Sequence, residues 1–472
     1  MNVKFIVVFF IGMLMLSVAG CGKEPETATV DKTSVQATGA FSDEQLENII
    51  RRSYQYVAMY NVNNKFAMKQ GGWNTCVPDT QLKDHTTREI ARPNNDTLYI
   101  GCLLDLRKDP VILEIPAFDS KYVSLMVTGY DHYVNIPLSV TKGDFKKPEK
   151  VLFYTARTEG YDGSKVEGVD RSFEMTGDFV SAVFRVMPHA NDKARFDKIL
   201  GQMKSVKAIT LSQLHGKPVK PIDDVQFPSV GKTDVDVFGS NFLEVMQFVV
   251  NHTSFNTENE VEKNFLAAMK QLGIEPGKTF DKSKVTEVDG NRLKALAEKI
   301  RDKTFARAMD PAFTAKHGLD LFRTRGKISM ELLLLQSVIG PIGLPASEAI
   351  YPPVTTTDGK PMNAQYDYVI RMTKDQLPPA RAFWSMTLYD SANGFFIPND
   401  RKKYSVGENG GMKLNKDGGI TVYIAAEKPD GVPEENWLPI NRQDENIDVI
   451  LRIYNPDIEK YKAWSPPKAE KL

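Results

Sequence analysis

The hydrophobic period changes twice along this chain, and those changes limit the fold more tightly than any single motif. From Leu98 to Val186 the apolar residues fall into short β-rich runs: Leu98 to Leu104, Val111 to Ile115, Tyr122 to Thr128, Tyr133 to Val140, Val151 to Thr155 and Phe179 to Val186. Turn residues separate them, as in a sandwich or jelly roll. Between about Asp192 and Ser347 the period returns to 3.6, with helices predicted over Phe242 to Val250 and Asn291 to Met309. Strands resume after Gln365, at Tyr366 to Met372, Ala382 to Tyr389, Ile420 to Ala425 and Val449 to Tyr454. The pattern predicts an α+β chain, mainly β with a helical middle: two β-sandwich or jelly-roll-like units joined by a helical segment. The expected boundaries are 41–190, 191–347 and 348–472.

Helix ends are marked in two places. Ser42-Asp43-Glu44-Gln45 has capping-box spacing, and Leu46, Ile49, Ile50, Tyr54 and Val57 then recur at helical intervals, predicting a helix from Asp43 to Met59. Thr257-Glu258-Asn259-Glu260 reads as a second capping box, with Gly273 and Pro276 ending its helix.

The first twenty residues read as an address. Lys4 and the twelve apolar residues Phe5 to Leu16 make a signal-peptide h-region, too short for a spanning helix of about 20 residues. Val18-Ala19-Gly20-Cys21 resembles the lipobox of bacterial lipoproteins, which implies lipidation at Cys21 and a membrane partner reached through N-terminal acyl chains. Residues 21–40, rich in Thr, Ala, Glu and Lys, suit a solvated tether. Gly22 stands where Asp would hold an enterobacterial lipoprotein at the inner membrane, so the bacterial envelope, with the outer membrane favoured, is the expected location.

Charge narrows the partners. Lys plus Arg and Asp plus Glu are 60 each, so no basic field exists to attract a phosphate backbone, and nucleic acid is not expected. Cys76 and Cys102 stand 26 positions apart and are read either as a disulfide or as two buried thiols. Gly231-Lys232-Thr233 and Gly277-Lys278-Thr279 lack the upstream glycine of a phosphate loop, because positions 226 and 272 are Gln and Leu. Histidines at 85, 132, 189, 215, 252 and 317 show no metal-ligand spacing, so neither metal nor cofactor is expected.

Two groups of blocks carry a family resemblance. The first is Arg92-Pro93-Asn94-Asn95-Asp96-Thr97-Leu98-Tyr99, Leu104-Asp105-Leu106, Pro110 to Pro116, Tyr122 and Asp131-His132-Tyr133-Val134-Asn135. It resembles the bacterial domain family of unknown function 1254. The second is Phe383 to Asp390, Arg401, Tyr404, Asp417-Gly418, Asn436-Trp437-Leu438-Pro439 and Leu451 to Pro456, which resembles its usual companion, family 1214. The resemblance implies two β-sandwich units with helices between them and implies no reaction. Ile100-Gly101 and Val134 depart from the family's usual pattern.

The 92–99 block gathers a guanidinium, two amides, a carboxylate and a phenol at the mouth of a strand. Read structurally, Asn and Asp close a turn, Pro93 fixes the loop and Arg92 pairs with a nearby carboxylate such as Asp105. Read functionally, Arg92, Asn95, Asp96, Tyr99, Asp131 and Tyr133 form a ligand site, with Asp96 or Asp131 as base and Tyr99 or Tyr133 as acid. Asp131 and His132 are adjacent in a predicted strand, so they point to opposite faces and make no pair. Trp437, in a predicted loop, is a possible aromatic contact. Three functions stay open, in this order: binding a small polar ligand such as a carbohydrate or organic acid, metal-independent hydrolysis or elimination through Asp, Tyr and Arg, and envelope assembly. Convergence of Arg92, Asp96 and Asp131 on one pocket would favour the enzyme.

Overall fold

Alternation along the strands accounts for the first unit. Leu98, Ile100, Cys102 and Leu104 point into one core with Val111, Leu113, Val151 and Phe153, so two sheets share it. The five-stranded sheet runs Thr75–Asp79, Leu98–Asp105, Phe179–Val186, Val123–Thr128, Ile136–Ser139, all antiparallel. The four-stranded sheet runs Arg171–Glu174, Glu149–Tyr154, Val111–Ile115, Lys207–Thr210. This is a computed structural model, and it describes residues 41–472 except 89, 90, 309, 311, 312, 314 and 315. The signal-like segment 1–20, Cys21 and the tether 21–40 lie outside the described residues.

The helix Lys193–Ser205 drops Ile199 and Met203 into the same core, and Lys207–Thr210 adds an edge strand. The first unit therefore continues past residue 190. The short strands Thr75–Asp79 and Arg171–Glu174 carry little apolar alternation, so the sequence pattern misses them.

Cys76 faces Cys102 across the first two strands and the two form a disulfide closing 26 positions. A loop of that length stabilises by about 3 kcal/mol through the unfolded chain. Replacing both cysteines with serine, or adding reductant, is expected to lower Tm measurably; an unchanged Tm would show that the strand ladder alone carries this corner.

The helix Asp43–Gln70 is capped as predicted by Ser42 and Gln45, but it runs 11 residues beyond Met59. The extension buries Tyr60 and Ala67 and packs Val62 and Phe66, but its asparagines break the apolar stripe and are buried themselves. Asn61 donates to Asp234 at 2.7 Å and accepts from the Gly231 amide at 3.0 Å, and Asn64 donates to the Tyr130 hydroxyl at 3.0 Å. Gly71, at φ 88°, ends it in the left-handed conformation. Every residue from Ser53 to Asn61 is buried, so the helix is the axis around which Asp234–Ser240, Phe242–Asn251, Glu260–Gln271, Gly290–Ala308 and Met330–Ile339 gather. The cap of Glu260–Gln271 is Asn259, which accepts from the Val261 amide, rather than Thr257. Among the described residues no helix is long and apolar enough to cross a membrane.

The second unit is built around the paired long strands Ala380–Asp390 and Asn446–Pro456. Further strands wrap Ile370, Met372, Val422 and Ile424 onto the core side of that pair. The molecule is thus two β units joined by helices, as the periodicity predicts. The five-stranded sheet of the first unit is covered twice: its second face meets the helices through Phe179 and the second unit through Tyr99, Tyr122 and Val183.

Candidate functional site

The two long strands of the second unit split their side chains by parity. Trp384, Met386, Leu388, Val449, Leu451 and Ile453 fill the core, and Phe383, Ser385, Thr387, Tyr389, Arg452 and Tyr454 take the other face. Register sets Ser385 opposite Arg452 and Phe383 opposite Tyr454. Such a polar face normally meets water, yet Ser385 and Thr387 are 0% exposed and Arg452 is 4% exposed. The cover is residues 91–97, between the first two strands of the N-terminal unit.

Arg92, Asn94 and Asp96 of that segment bond to residues of the second unit. Arg92, at φ 52°, donates from Nε and Nη2 to both carboxylate oxygens of Asp448, at 3.0 and 3.2 Å. Its own amide donates to the Gly394 carbonyl. The expected partner, Asp105, is instead held by Arg107 at 2.7 Å. The Pro93 carbonyl accepts from the Tyr389 hydroxyl at 2.7 Å, and Asn94 donates to the Tyr454 hydroxyl at 3.0 Å while closing its own turn on the Asp96 amide. Asp96 Oδ2 accepts from Ser385 at 2.5 Å and from Tyr454 at 3.2 Å. Arg452 Nη2 donates to the Tyr389 hydroxyl at 2.6 Å and to the Arg92 carbonyl at 3.3 Å.

Four polar atoms here have no protein hydrogen-bond partner. Asp96 Oδ1, Arg452 Nη1 and Thr387 Oγ1 are buried without a hydrogen-bond partner, as is Asn95 Oδ1. Burial pushes the Asp96 carboxyl up, against the pull of Arg452, Ser385 and Tyr454. Burial also works against the charge on Arg452, but Tyr389 and Asp96 outweigh it and hold the guanidinium protonated. Tyr389 is itself raised to about 12 by burial. Asp96 and Arg452 sense one another's charge, yet among the described residues no ion pair joins them. Tyr99 lines the same seam, 5.7 Å below the Arg185 guanidinium, packed with Tyr122, Phe383 and Tyr454.

The other predicted residues go elsewhere. Asp131 sits in a turn after Val123–Thr128, not in a strand, and His132 follows it at φ 63°. Asp131 Oδ2 accepts from Thr176 at 2.6 Å and lies 3.8 Å from Arg325, which also pairs with Glu262 at 2.8 Å. Tyr133, below the Arg325 guanidinium, lies beside Glu262. Burial raises both carboxyls. Among the described residues Arg92 and Asp96 share no hydrogen-bond partner with Asp131, so the six candidates form two clusters rather than a single acid-base pocket. His132 still makes no pair with Asp131: its ring bonds Ser337 at 2.8 Å and the Pro341 carbonyl at 2.7 Å.

Trp437 is 6% exposed, lies in the strand Trp437–Pro439, and donates from Nε1 to the Ala425 carbonyl at 2.7 Å. It is a core residue, not an exposed aromatic contact. The residues that the sequence reading missed are Ser385, Thr387 and Arg452. Their signal was a polar parity on two strands whose other parity is apolar, with nothing local to show that this face would be covered. Among the described residues no group of three or more His, Cys, Asp or Glu is placed to hold a metal.

Residues 73–206 match the model of domain family 1254 and residues 348–458 that of family 1214, each described as a protein of unknown function. No curated protein matches the chain. In fold it is similar to the crystal structure of the VPA0106 protein from Vibrio parahaemolyticus, at 23% identity and a TM-score of 0.71, over 91% of this chain and 99% of that one. A putative uncharacterized protein from Burkholderia cenocepacia aligns over 91% of this chain and 93% of its own, at 13% identity and a TM-score of 0.42.

Proposed function

We propose that this chain, which pairs a unit matching family 1254 with a unit matching family 1214, is an envelope lipoprotein that binds a small polar ligand at the seam of its β units. The observation that carries the binding reading is the buried, unfilled hydrogen-bond capacity of Asp96 Oδ1 and Arg452 Nη1. Leaving buried polar atoms of a charged group without a partner costs on the order of 1–3 kcal/mol each, and native proteins keep such atoms for a reason, a bound molecule among them. Residues 91–97 cover the face, so entry requires that segment to lift, and the Arg92–Asp448 pair is its latch. The Cys21 motif supports the acyl anchor, and a disulfide suits an oxidising compartment.

A thermal-shift screen of the full chain against sugars, organic acids and amino acids tests the site. A ligand at 100 times its Kd stabilises by about 2.7 kcal/mol. At least one class is expected to raise Tm by several degrees, and Thr387→Val, which keeps shape and removes the hydroxyl, is expected to weaken that shift. Silence across the screen, with ordered water alone between Asp96 and Arg452, would refute ligand binding here. Replacing Cys21 with serine should move the protein out of the membrane fraction; unchanged membrane association would refute the anchor.

A further inference from the structure

The seam presents its two unused charged atoms as opposites. Arg452 Nη1 offers a cationic donor and Asp96 Oδ1 an anionic acceptor, on facing elements, and Thr387 Oγ1 adds a hydroxyl on the same strand face. Both charged residues are more than nine-tenths buried. Their other atoms are already engaged: Asp96 Oδ2 by Ser385 and Tyr454, Arg452 Nη2 by Tyr389 and the Arg92 carbonyl. What fits between them needs an acceptor at one end and a donor at the other.

Charge balance selects among such molecules. Asp96 and Arg452 cancel, so a bound hydroxy acid would leave one uncompensated negative charge in a low-dielectric seam. A neutral sugar would leave the balance intact but would meet both charges with neutral groups, forgoing the stronger bonds made between two charged partners. A zwitterion keeps the sum at zero and gives each end a charged partner: carboxylate to Arg452, ammonium to Asp96.

Resting on the binding reading above, we infer that the ligand is a small amino acid or a similar zwitterion, held head to tail between Arg452 and Asp96.

The test sets matched probes against the full chain: the twenty L-amino acids, with lactate and ethylamine as the hydroxy-acid and amine counterparts of alanine, and glucose as the neutral control. At least one amino acid is expected to raise Tm, with lactate, ethylamine and glucose at least tenfold weaker. Asp96→Asn removes the anionic end and should reverse the choice, weakening the amino acid at least tenfold while relatively favouring its hydroxy-acid counterpart. Should that variant not fold, Thr387→Val must still weaken the amino acid more than fivefold. Shifts by lactate or glucose without any by an amino acid, suppressed by Thr387→Val, would overturn the zwitterion and leave the binding site standing. No shift by any probe in this or the wider screen would overturn both.

Discussion

Replacing Arg452 with methionine is expected to destabilise the protein by about 3–5 kcal/mol, the usual result of removing a buried charge that compensates another. The side chain is 4% exposed, and its loss strips compensation from Asp96 and a donor from the Tyr389 hydroxyl. Methionine fills similar volume, so the cost is electrostatic rather than that of a cavity. Adding Asp96→Asn to Arg452→Met should recover part of the loss, because the amide can still accept from Ser385 and Tyr454 without carrying a buried charge. Urea unfolding of the two single variants and the double variant would give a coupling of about 1–3 kcal/mol. Strict additivity would mean that Asp96 and Arg452 do not share an electrostatic site.

Acid is expected to weaken the fold through His132. Burial lowers its pKa to about 4, against an ordinary value of about 6.5. The neutral ring donates from Nε2 to the Pro341 carbonyl, and Nδ1 lies 2.8 Å from the Ser337 hydroxyl. A group whose pKa is depressed on folding contributes stability that is complete above its unfolded value and lost as pH falls toward the folded one. At about 1.4 kcal/mol per pH unit, the window from 6.5 to 4 removes about 3 kcal/mol. The buried carboxyls act oppositely: Asp96, Asp131 and Glu262 are raised by burial, so their contribution is complete at low pH and fades as pH rises past the ordinary carboxylate value. The difference in Tm between wild type and His132→Asn, followed from pH 7 to pH 4, isolates the histidine, and should shrink steadily with acid. A difference independent of pH would mean that the ring takes up its proton at the same pH in the folded and unfolded chain.

The architecture was legible because period is a local property. Leu98, Ile100, Cys102 and Leu104 announce a strand without knowledge of anything else in the chain, and Ser42 with Gln45 announces a helix start. The Asp43–Gln70 helix was underestimated for the converse reason: Asn61 and Asn64 are buried by partners at Asp234, Gly231 and Tyr130, which no window around residue 60 contains. The site divides along the same line. Arg92, Asn95, Asp96 and Tyr99 stood out as a dense polar block. Their partners Ser385, Asp448, Arg452 and Tyr454 lie about 290 to 360 positions away, where they read as the outward parity of half-buried strands. Trp437 failed because a three-residue strand has too short a pattern to be told from a loop.

A crystal structure of the full chain grown with the amino acid that most raises Tm tests the central claim directly. Density is expected for one molecule bridging Asp96 Oδ1 and Arg452 Nη1, with Thr387 within hydrogen-bond distance of it. Arg452 Nη1 found bonded to Asp96 itself, or to water alone in crystals that contain the amino acid, would contradict it.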